Sequence, residues 1–157
     1  MDEPLTRKAR VRSPGPVTGG VPFIASEADA PMVPLGAQVM QVIMDPEGGG
    51  SAKLTIGRAH WPAGGSGRPH AHESWEEMFY VLSGEGELLA GEDRYVLKPG
   101  VVACVPERVT HCVAWVGKDG LEMIFLLAPG VPGRVLSPAA VARPVARPPK
   151  AGTGEVR

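Results

Sequence analysis

Four of the 157 residues are histidines, and three of them stand where they could share one metal ion. His70 and His72 form a His-x-His pair. Side chains two apart on an extended strand point to the same side, so both imidazoles can reach a common ion. Glu77 follows His72 by five residues, a separation that would turn it to the opposite side of a straight strand. The chain must therefore turn through Glu73-Ser74-Trp75, so that Glu77 opens the next strand pointing inward. His111 arrives from a distant strand after Pro106. Three neutral imidazoles and a carboxylate suit divalent iron, manganese, nickel, copper or zinc. Unlike a closed four-thiolate zinc site, such a set can leave positions open for water or substrate.

The segments that must position these residues read as short strands. Apolar or alternating runs recur at 37–44, 52–59, 78–82, 86–90, 94–97, 101–105, 111–116 and 122–127. Turn residues separate them: Asp45-Pro46-Glu47-Gly48, Pro62-Ala63-Gly64-Gly65, Ser83-Gly84, Gly91-Glu92-Asp93, Pro99-Gly100 and Pro106. Eight short strands with regular turns predict an all-β sandwich or barrel. Gly and Pro number 21 and 17, about a quarter of the chain, which argues against a helical bundle.

With the spacings on view, a family resemblance emerges. Gly64-x5-His70-x-His72-x4-Glu77-x6-Gly84 resembles the first motif of the cupin superfamily, and Gly100-x5-Pro106-x-Arg108-x2-His111-x3-Trp115 resembles the second. Two positions depart from the pattern: Arg108 stands where the family has Gly, and Trp115 where it has Asn. The resemblance spans about residues 36–128 and implies a small single-domain cupin, a double-stranded β-helix (jelly-roll) barrel with an interior metal, commonly dimeric. It assigns His70, His72, Glu77 and His111 as ligands to one divalent transition metal per chain, with iron favoured over manganese, nickel, copper and zinc. Glu76 rivals Glu77, but only Glu77 stands seven residues before Gly84, and Glu76, one position out of phase, should face outward.

Composition narrows the rest. The net charge of −1 hides an acidic centre: residues 21–130 hold 7 basic and 14 acidic side chains, whereas both ends are basic. An acidic body disfavours nucleic acid as a partner. Residues 1–20 read as a flexible arm, 21–130 as the cupin barrel, and 131–157 as a Pro-rich, basic, disordered tail. No apolar leader or membrane-length run is present, and two cysteines make no disulfide framework, so the expected location is the cytoplasm. Cys104 and Cys112 read as small buried apolar residues, and His60 as a loop histidine.

Strand parity suggests a pocket. Phe79 and Val81 share the face of Glu77; Val113 and Trp115 share that of His111; Met123, Phe125 and Leu127 form the uniformly apolar face of the closing strand. Phe79, Val113, Trp115, Met123 and Phe125 would wall a site for a hydrophobic or aromatic small molecule, or fill the barrel core. Arg108 and Arg68 are the cations nearest the ligands and could hold a carboxylate. The expected function is a metal-dependent enzyme, with oxygenase-type chemistry favoured. The alternatives are a non-redox isomerase, polyketide cyclase or decarboxylase, or a non-catalytic small-ligand-binding cupin; a homodimer is expected.

Overall fold

A computed structural model describes residues 23–136. Seven strands follow in order: β1 (Met32–Leu35), β2 (Gln38–Met44), β3 (Thr55–Trp61), β4 (Glu76–Ala90), β5 (Asp93–Leu97), β6 (Val102–Val105) and β7 (His111–Ala128). Single 3-10 turns at Glu27–Asp29 and Gly133–Leu136 flank them. The strands form one antiparallel sheet in the order β1-β2-β3-β7-β4-β5, with β6 paired to β4. The fold is the all-β jelly-roll expected of a cupin.

Two strands run longer than the turn signals suggested. Ser83-Gly84 does not end a strand; β4 passes through it by register shifts between Val81 and Ser83 and between Gly84 and Gly86. Likewise β7 continues through Gly117-Lys118-Asp119-Gly120. The first half of β4 pairs with the second half of β7, and the second half of β4 with the first half of β7. Bulges bend both strands at the same level, letting one sheet fold over on itself. Gly84 sits at this bend with φ +77°, and a Cβ there would run into the Gly120 carbonyl oxygen. Only glycine combines that backbone with that approach.

β1 was not expected, because it is short and carries Pro34. It occupies the sheet edge beside β2, where a missing N–H leaves no central ladder bond unmade.

Inward residues of both halves form one core: Ala59, Trp61, Phe79, Val81, Leu88, Leu97, Val113, Val116, Leu121, Met123, Phe125 and Leu127 are all buried. The alternation along β3 and the second half of β7 produces this face directly. The packed unit extends past residue 130, where the sequence placed the start of the tail. Val131 and Leu136 pack against the core. Thr55, fully buried, exchanges two hydrogen bonds with the Val131 backbone. The expectations for 1–20 and 137–157 lie outside the described residues. Among the described residues no helix is long and apolar enough to cross a membrane.

Candidate metal centre

The four expected ligands meet. One donor atom from each of His70, His72, Glu77 and His111 lies within 4.8 Å of the others. They come from three directions. Glu77 is near the start of β4, where it pairs with Leu127 of β7 and Val105 of β6. His111 opens β7. His70 reaches it from the Gly-rich segment, whose amides climb the edge of β7: Gly64 N–H donates to Val116 O (3.1 Å), Gly67 N–H to Val113 O (2.7 Å) and His70 N–H to His111 O (3.0 Å). The chain then turns through 73–75, as the five-residue spacing required, and delivers Glu77 inward.

Backbone carbonyls set the imidazole orientation. His70 Nδ1–H donates to Arg68 O and His111 Nδ1–H to Val109 O, each at 2.9 Å. Both rings therefore offer Nε2 to the centre, as ligating histidines do when a second partner fixes the tautomer. His72 Nε2 lies 2.9 Å and His111 Nε2 3.1 Å from the same oxygen, Glu77 Oε2. With Nδ1 already donating, a hydrogen bond from His111 Nε2 to Glu77 requires a second proton on the ring. A divalent cation can replace such protons and satisfy the nitrogens and the carboxylate together, so the donor set fits a metal.

The electrostatics agree. Burial pushes the Glu77 carboxyl up, but hydrogen bonds from His111 and His72 outweigh burial and bring its pKa down to about 2. Burial lowers the pKa of His70 and so favours the neutral, ligating ring. For His111 burial also acts downward, yet the hydrogen bond to Glu77 raises its pKa on balance.

Glu76 faces outward, with Cys104 Sγ 3.9 Å from its carboxylate, so it does not compete with Glu77. Cys104 is accordingly exposed, against expectation, because it lies on the outer side of β6; Cys112 is buried as expected. His60 is not in a loop either. It lies on the outer side of β3, hydrogen-bonded to Glu122.

Of the expected pocket residues, Phe79, Val113, Met123 and Phe125 are interior, 1–7% exposed, and belong to the core cluster. Phe79 stands 6.5 Å from the His111 ring. Trp115 requires correction: it is 49% exposed and faces away. Glu87 pairs with Trp115 while Leu88 pairs with Val113, so Ala114 is an extra residue that reverses the parity. Val116 takes the inward position instead. Arg108 is exposed at the rim.

One residue was missed. Trp75 stacks on His72, ring centroids 4.8 Å apart and planes 24° from parallel, and its indole N–H is buried without a partner among the described residues. The signal was an aromatic within the turn between two ligands.

Comparison with known proteins agrees with this geometry. Residues 57–127 match the family described as "Cupin domain". An uncharacterized protein from Methanocaldococcus jannaschii is 21% identical over 94 residues, 60% of this chain and 75% of that protein. Among solved structures, KdgF from Halomonas sp. superposes with a TM-score of 0.61 at 20% identity, covering 74% of this chain and 99% of that one. The Streptomyces nucleoside dehydratase Pac13 gives 0.60 at 14% identity, covering 73% and 88%. Residues 57–127 thus form a small cupin-superfamily domain, and its cluster of His70, His72, Glu77 and His111 could hold a metal ion.

Proposed function

We propose that this protein is a divalent-metal-dependent enzyme acting on a small hydrophobic or aromatic molecule, with oxygenase-type chemistry on iron as the favoured reading. One observation carries it: three imidazoles, two of them locked to present Nε2, converge on a buried, ionised Glu77. When bound, the metal supplies redox or Lewis-acid chemistry at positions the protein leaves open. The protein's own residues orient the ligands and exclude water. Val109 O and Arg68 O hold the imidazoles, Trp75 covers one face of His72, and the apolar inner face around Phe79 closes the site from behind. Glu77 and His111 are buried while His70 and His72 are only partly so, which leaves the histidine loop as the side of approach.

Elemental analysis of anaerobically purified protein tests the reading. Wild type should hold close to one metal per chain, whereas His70→Ala and His111→Ala should hold little. The iron form should consume O2 with substrate. A zinc-holding protein, or one with no O2 uptake under any metal, would shift the reading to non-redox chemistry, which the shared fold with a dehydratase supports. Stoichiometric ligand binding without turnover would leave a binding cupin. A cytoplasmic homodimer completes the proposal. Its support is the apolar outer face where Ile124 and Leu126 of β7 pair with Tyr80 and Met78 of β4, flanked by exposed Val102. Sedimentation velocity tests it.

A further inference from the structure

We propose that Arg108 is a specificity-determining residue that recruits a carboxylate-bearing substrate to the rim of the metal centre. The inference rests on the metal-centre reading above and names the substrate class that site would take.

The backbone is the first observation. Pro106, Glu107, Arg108 and Val109 form a tight turn in which the Val109 N–H reaches Pro106 O (3.4 Å). Arg108 occupies its third position with φ +64°, and it is the one described non-glycine residue in the left-handed region. A turn with positive φ there calls for glycine, since a Cβ is crowded in that conformation. The turn itself is needed: the Arg108 N–H donates to His72 O (2.7 Å), and Val109 O orients His111. Glycine would keep both hydrogen bonds, because both are made by the backbone. The arginine side chain is therefore held at a position that disfavours it, as strained residues at functional sites often are.

The second observation is where the described guanidinium groups are committed. Arg58 is hydrogen-bonded to Glu27 and Glu122, Arg94 to Glu87, and Arg134 to Glu47. Among the described arginines, only Arg68 and Arg108 lack a hydrogen bond to a carboxylate, and both lie a few residues ahead of a ligand histidine. The nearest carboxylate to Arg108 is that of Glu73, 3.9 Å from Nε, and both side chains are highly exposed (72% and 80%). At that distance and exposure the pair does not tie up the guanidinium. In a body whose net charge is −7 over residues 21–130, two uncommitted guanidiniums beside a cation-binding cluster make a local anion site. The planar fork of Arg108 suits a carboxylate held in two hydrogen bonds.

The test is a titration of metal-reconstituted protein with benzoate and with benzamide, a pair matched in shape but not in charge. Wild type, Arg108→Gln and Arg108→Gly are compared, with metal content and melting temperature measured on the same samples. Arg108→Gln keeps the backbone and loses the charge, so it should lose about tenfold in benzoate affinity and nothing for benzamide. Arg108→Gly should show the same loss. It should also melt about 1–4 °C higher, since relief of the left-handed strain exceeds the freedom glycine adds to the unfolded chain. Equal benzoate affinity in all three proteins, no benzoate binding by wild type, or a lower melting temperature for Arg108→Gly overturns the proposal. If no sample holds metal yet the charge-dependent loss persists, the metal-centre reading falls and the anion site stands.

Discussion

Glu77 is the residue on which the others depend. Its carboxylate is buried, yet hydrogen bonds from His111 and His72 keep its pKa at about 2 rather than the ordinary 4.5. A folded-state value below the unfolded one contributes stability above the unfolded pKa, and that stability is lost as pH falls from about 4.5 towards 2. His111 has the opposite sign. Its raised value contributes stability to the metal-free protein below the ordinary 6.5, lost as pH rises through the folded value. A metal ligand must shed that proton, so metal affinity should weaken as pH is lowered, with protonation of His111 setting in above 6.5. Metal retention against pH, followed by competition with a chelator, should therefore begin to fall above the ordinary 6.5 as pH is lowered. Glu77→Gln should abolish the metal and flatten the acid limb of metal-free stability. A retention profile flat to pH 5 would sink the argument. At this scale the sequence was most informative: ligand spacing is a local property, and His-x-His, the turn at 73–75 and the outward Glu76 all follow from strand parity. Trp75 escaped because stacking is decided by how a turn closes.

Elements place these residues through bends that leave a weak sequence trace. Alternation reports a face only while the ladder stays in phase, and each bulge resets it. Trp115 shows the consequence, since one extra residue at Ala114 moves it outward and Val116 inward. Ser83-Gly84 misled for a related reason. Gly marks a turn or a bulge with equal ease, and here β4 bends without ending. β1 was lost because a four-residue edge strand containing Pro34 carries almost no periodic signal. These bends can be tested through Gly84. Adding a Cβ at φ +77° against the Gly120 carbonyl must displace backbone, so Gly84→Ala should cost about 3 kcal/mol or more in urea denaturation. Gly91→Ala provides the contrast, because its φ is also positive (+64°) but nothing lies within 4 Å of the added Cβ. It should cost only about 1–2 kcal/mol. Equal losses in the two variants would mean that backbone conformation alone, without the crossing of β4 and β7, fixes the bend.

For the molecule as a whole, the packed unit takes in residues 131–136, which lie against the core although Pro132 and a basic composition placed them in the tail. Composition cannot show that two buried side chains are waiting for their backbone. Thr55 on β3 accepts from the Val131 N–H (2.9 Å) and donates to Val131 O, so one hydroxyl satisfies both groups of a residue 76 positions away. Asp45, at the end of β2 and only 8% exposed, caps its own turn by accepting from the Glu47 N–H (2.8 Å) and Gly48 N–H, and with its other oxygen accepts from the Gly133 N–H (2.6 Å). Removing the strap would leave a buried hydroxyl and one carboxylate oxygen without these partners, and would uncover apolar surface beneath Val131 and Leu136. A chain ended at Leu136 should therefore be more stable than one ended at Gly130 by about 3 kcal/mol, a gap on the order of 10 °C in melting temperature. In the longer chain Thr55→Val alone should cost about 1–2 kcal/mol, because it strands both Val131 groups. If the two truncations melt together, the segment merely rests on the barrel. If they separate but Thr55→Val is silent, apolar contacts of Val131 and Leu136 carry the strap and the paired hydrogen bonds only set its register.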